Sequence, residues 1–177
     1  MQSTFDERNW LAWLVKVRIL ILTFLLAIQL TVAHLTPAPF PVRLFVSTIL
    51  LWFVLAIFYA LLLSFWQEHR LQASLQVLTD LVLVSLVVHE TGGWDSSLNF
   101  LYPLVIIVAG ILLPRVWAHL VAALAFILYG TVLELNYYGV VKTYCTSHPE
   151  LKALQAIIFV NLFAYIAIAY LAGLLST

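Results

Sequence analysis

Charge is scarce in this sequence. Asp, Glu, Lys and Arg make up only 9% of its 177 residues, where a soluble domain carries about a quarter. Too few polar side chains exist to cover a water-facing surface. What charge there is sums to zero, so there is no basic face for a nucleic acid and none is expected as a partner. Cysteine is nearly absent. The single thiol, Cys145, excludes a disulfide framework within the chain and leaves only a bridge between chains. No serine sits in a Gly-x-Ser-x-Gly elbow and no glycine-rich phosphate loop is present, so no catalytic motif and no ATP site by motif can be read. No cofactor is expected. A cleavable leader is not expected either: Asp6 and Glu7 stand where a signal peptide has none, and the first apolar run is too long.

What the chain has instead is apolar bulk. The hydrophobic fraction is 64% and the mean hydropathy is +1.08. Such a chain belongs in a bilayer. A spanning helix needs roughly 20 apolar residues, and six runs qualify, at residues 10–34, 42–66, 71–90, 97–113, 118–138 and 150–175. The expected fold is all-α: one polytopic domain over residues 1–177, with six transmembrane helices and short loops. Pro37, Pro39 and Pro41 break the chain between the first two runs, because proline lacks an N–H donor and biases its neighbour to extended shapes. Pro103, about two turns into the fourth run, is expected to kink it. Basic residues favour one topology. Arg8, Lys16, Arg18, Arg70 and Arg115 fall on one side, and Arg43, Lys142 and Lys152 on the other. Both termini are therefore expected in the cytoplasm.

The sharpest polar signal is Asp80. A carboxylate at mid-membrane costs about 2.5–3.5 kcal/mol on insertion scales and needs a partner. Gln76 lies one turn before it on the same helical face, and Arg18 reaches a similar depth from helix 1. A pair or cluster of Asp80, Arg18 and Gln76 is expected. It reads either as a structural clamp between helices or as a latch that switches. Glu134 reads as an interfacial acid beside Tyr137 and Tyr138. Asn161 reads as an amide that ties helices by hydrogen bonds. The spacings Ala118-xxx-Ala122 and Ala169-xxx-Gly173 allow close helix contact. His34, His89, Glu90, Asp95, Cys145, His148 and Glu150 gather toward the outer side, but without ligand spacing. No metal site is expected.

The turn between the third and fourth runs is the most distinctive stretch. Gly92-Gly93 suits a helix C-terminus, since glycine enters the left-handed region without steric cost. Asp95, Ser96 and Ser97 suit the N-cap that follows. The sequence Thr91-Gly92-Gly93-Trp94-Asp95-Ser96, with Asp80 before it and Phe100-Leu101-Tyr102-Pro103 and Leu104 to Val108 after it, resembles the six-helix membrane sensor region of bacterial histidine kinases. It is close to the pilin-sensing kinase of type IV pilus systems and its relatives. Arg18 also fits that pattern. The resemblance implies a signal-input domain of a two-component system. Its signal would leave through helix 6 into cytoplasmic kinase domains of the same parent chain, and from there to a response regulator. It further implies a homodimer and, in the pilin-sensing branch, an apolar pilin helix as a partner within the membrane. The soluble kinase parts are absent from this sequence, so the expectation is the membrane portion of a longer kinase. Two other readings stand beside it. One is a small ion- or proton-coupled transporter using Asp80 and Glu134. The other is a structural membrane subunit.

Overall fold

A computed structural model describes residues 2–35, 41–144 and 148–175, with side chains from residue 8 onward. Six α-helices run in order: α1 Gln2–Leu35, α2 Val42–Phe65, α3 His69–Glu90, α4 Leu101–Leu112, α5 Arg115–Tyr137 and α6 Leu151–Leu175. No strand occurs among the described residues. Five of the helices are long and apolar enough to cross a membrane, and Ser97–Leu112 is a shorter apolar segment. All links but the one before α6 are short, and sequential helices are neighbours throughout. Trp10, His69, Leu112 and Leu175 consequently line one cavity at the end of the bundle that holds both termini.

The helix bounds shift from those read in the sequence for local reasons. Helix α1 starts at Gln2 rather than residue 10, because no glycine or proline interrupts the polar stretch before Trp10. His69 and Arg70 belong to the first turn of α3 instead of a link. Pro114 ends the preceding link, and α5 begins immediately after it at Arg115, since proline presets the backbone of a helix entry. The largest revision concerns α4. The expected helix from residue 97 opens as a 3-10 turn, Ser97–Phe100, and becomes α-helical only at Leu101. Pro103 therefore lies in the first turn of α4. There its missing N–H is one of the donors that a helix start leaves unpaired in any case, so the kink expected two turns in is not required.

Helix α3 is the axis. It packs against α1, α2, α4 and α5, and 61% of its most apolar window is buried, against 22% for α6. In lipid the apolar drive between helices is weak, so the helix that carries most polar groups gains most from being enclosed. The α1–α2 pair lies on one side of α3, and α4, α5 and α6 pack on one another at the other. That second group closes through small residues. A Cβ added at Gly110 of α4 would sit 2.5 Å from the Ala172 Cβ of α6. Ala118, Ala122 and Ala169 are likewise buried.

Candidate functional site

The polar residues of α3 follow helical spacing. Gln72, Gln76 and Asp80 recur every four residues, so they share one face one turn apart. Gln72 and Gln76 have no solvent exposure, and Asp80 has 7%. Each reaches a different neighbour. Gln72 Nε2 donates to the Tyr59 carbonyl of α2 at 3.0 Å. Gln76 Oε1 accepts from Arg18 Nη1 of α1 at 3.0 Å. Asp80 accepts from Arg18 Nη2 at 2.5 Å and, on its other oxygen, from the Trp52 indole of α2 at 3.0 Å. Arg18 is itself buried, at 7% exposure.

This cluster joins three helices through charge-assisted bonds. The structure brings together Arg18, Gln76 and Asp80 and adds Trp52, which the sequence reading missed; it also missed Gln72, which ties the same face of α3 to α2 separately. Gln72 was legible from its spacing to Gln76. Trp52 was not, because an apolar tryptophan in a membrane helix carries no visible sign that its N–H is aimed at a carboxylate. The arrangement satisfies both oxygens of Asp80, and the pair is electrically neutral as a unit. Removing either partner would leave a buried charge alone, which typically costs about 3–5 kcal/mol.

Two further polar links tie α3 to its neighbours nearer the glycine turn. Tyr102 Oη of α4 donates to Ser85 Oγ at 2.9 Å, and Thr48 Oγ1 of α2 donates to Glu90 Oε1 at 2.8 Å. The turn itself is held by a relay of hydroxyls. Thr91 Oγ1 donates to the Val87 carbonyl at 2.7 Å. Ser96 Oγ lies 2.6 Å from Thr91 Oγ1 and accepts the Leu98 N–H at 3.2 Å. Because the Thr91 proton is spent on Val87, Ser96 is the donor between the two hydroxyls. Gly92 and Gly93 have φ of 118° and 60°, values that disfavour any side chain. Asp95 closes a 3-10 turn, its N–H donating to the Gly92 carbonyl at 3.1 Å. Of the expected caps, Ser96 performs the role, but for the 3-10 segment rather than for α4 directly.

Other candidates fall elsewhere. Glu134 is exposed on α5, away from the Arg18–Asp80 cluster. Asn161 is half-buried, and its amide donates to the Ile157 carbonyl of its own helix at 2.8 Å, not across helices. His34, Asp95, His148 and Glu150 are exposed. Among the described residues no three ligating side chains converge on a common point, and Cys145 lies outside the described residues.

Beside the ion pair lies a groove of about 240 Å³. It opens between α1 and α4, which barely touch each other. Its walls are apolar, including Ile21, Leu25, Leu104 and Val108, and its floor holds Arg18, Asp80 and Trp52. A six-helix bundle, a charged pair buried among its helices and a side groove beside that pair together describe a multi-pass membrane domain. The chain belongs to the PilS-like transmembrane domain family, whose model matches residues 2–177. No curated protein and no solved structure matches it. The family and the apolar helices place it as a multi-pass protein of the bacterial inner membrane type.

Proposed function

We propose that this domain is the signal input of a two-component histidine kinase. A stimulus at the outer face or within the membrane biases two packings of the bundle, and α6 carries the difference to cytoplasmic kinase domains of the same parent chain, which act on a response regulator. The end holding both termini faces the cytoplasm, and the domain works as a homodimer. A single-span apolar helix of a pilin-like protein is the partner suggested by the resemblance.

The observation that supports this reading most is the Arg18–Asp80 pair with its Trp52 and Gln76 contacts. A buried ion pair contributes little net stability compared with a packed apolar pair. Its value is discrimination: α1, α2 and α3 keep one registry unless both charges find new partners together. A ligand shifts such an equilibrium only by its differential affinity for the two packings. Helix α6 is well placed as an output. It is the least buried of the five long spans, and its terminal end is gripped where Arg115 donates to the Gly173 carbonyl from Nε at 3.3 Å and Nη2 at 3.2 Å.

The test is Asp80→Asn in the full-length protein, with phosphorylation output read under inducing and non-inducing conditions. Asparagine retains the shape and one acceptor but removes the charge that holds Arg18. The expected result is normal insertion with altered output in at least one condition. Output equal to that of the parent in both conditions would reject the latch.

A further inference from the structure

We propose that the groove between α1 and α4 binds an uncharged, carbonyl-bearing membrane lipid of the isoprenoid quinone class, with its ring over the Arg18–Asp80 pair and its tail running out between the two helices. Depth is the first argument. Asp80 is the twelfth of the 22 residues of α3, so it stands roughly 16 Å from the start of that helix at 1.5 Å per residue. Arg18 stands roughly 12 Å beyond Trp10 along α1 by the same rise. Both measures put the pair near the middle of a hydrocarbon layer about 30 Å thick. Phosphate and ester groups of ordinary lipids are held at the edges of that layer. A ligand that meets the pair must bring its polar atom to the midplane, which requires a neutral molecule.

Chemistry is the second argument. The two described bonds of the Arg18 side chain use two of its five N–H donors, and Arg18 lines the groove. Both oxygens of Asp80 already accept bonds. The floor thus offers donors rather than acceptors, and a carbonyl oxygen is the matching group. An anion would add a second negative charge beside Asp80 and pay the insertion cost of a buried carboxylate. Shape is the third argument. An apolar cavity of about 150 Å³ is enough to hold benzene, so a groove of about 240 Å³ admits one substituted six-membered ring. Its open side, flanked by half-exposed Ile107 and Ile111, lets a branched tail continue into lipid. Many walls of hydrocarbon and few placed polar groups are the usual make-up of a small-molecule site.

The proposal names a ligand class for the sensor reading, yet its test does not read kinase output, so either can fail without the other. The full chain in lipid nanodiscs is labelled with a photoactivatable azido-ubiquinone and the adducts are mapped by mass spectrometry. Labelling is expected to concentrate on the peptides carrying Ile21 to Leu25 and Leu104 to Ile111, and excess decylubiquinone is expected to suppress it. Val108→Trp, which fills the groove, is expected to reduce labelling there. Arg18→Lys, which retains the charge but loses donors, is expected to raise the apparent Kd about tenfold, the loss of one hydrogen bond to a charged group. Labelling spread evenly over the exposed faces of α2 and α6 would overturn the proposal. So would equal competition by a decyl hydrocarbon without a carbonyl. Protection by a single-span apolar peptide but not by decylubiquinone would assign the groove to a protein helix instead, and would also overturn it. Should Val108→Trp fail to insert, the competition on the unaltered chain decides.

Discussion

The two sides of α3 are held by different physics. On the α1–α2 side the contacts are polar and charged: Arg18 to Asp80 and Gln76, Trp52 to Asp80, and Gln72 to the Tyr59 carbonyl. On the other side, Tyr102 of α4 makes one hydrogen bond to Ser85 of α3, and α4, α5 and α6 meet one another through small residues and rings. Gly110 meets Ala172, and Tyr102, Tyr129 and Tyr165 form a triangle with centroids 5.3, 6.0 and 6.4 Å apart. The first kind of contact is directional and can be exchanged only as a set. The second depends on shape and tolerates no added volume. A bundle built this way has one seam set by paired polar groups and one set by close fit.

The largest expected effect tests the polar seam. Asp80→Ala should lose about 3–5 kcal/mol of bundle stability, because Arg18 then stays buried without its counter-charge. Unfolding in mixed micelles measures this. The double change Arg18→Met with Asp80→Leu should recover most of the loss, since neither charge remains, and failure to recover would mean the pair contributes more than registry. A smaller effect tests the close-packed side. Gly110→Ala should cost about 1–3 kcal/mol, the usual penalty of overpacking, because its Cβ has no room beside Ala172. Pairing it with Ala172→Gly should return part of that. The smallest effect separates two tyrosines. Tyr102→Phe should cost about 0.6 kcal/mol, a typical interhelical hydrogen bond in a membrane, because its hydroxyl bonds Ser85. Tyr165→Phe should be neutral or stabilising, since that buried hydroxyl has no hydrogen-bond partner among the described residues. The reverse order would place the important bond at Tyr165.

Several parts of this architecture are legible without coordinates. Asp80 announces itself because a lone acid in an apolar run has no inexpensive position except beside a partner. The glycine pair announces a left-handed turn because no other residue takes that backbone freely. The start of α4 was not legible: Ser97 to Phe100 are compatible with a helix, and only the relay from Leu98 through Ser96 and Thr91 to Val87 makes a 3-10 entry the better closure. Asn161 misled because amide chemistry says only that a bond is made. It cannot say that the Ile157 carbonyl is the acceptor.

Composition alone determined that this chain lies in a membrane as helices, because 9% charge cannot wet a surface and a backbone in lipid must satisfy its own hydrogen bonds. Only the tertiary structure decided that α3 is the enclosed axis, that Trp52 completes the Asp80 site and that a groove opens beside it. Those facts depend on which faces of separate helices meet. Helical spacing fixes the residues that share a face, but not the neighbour that face will find.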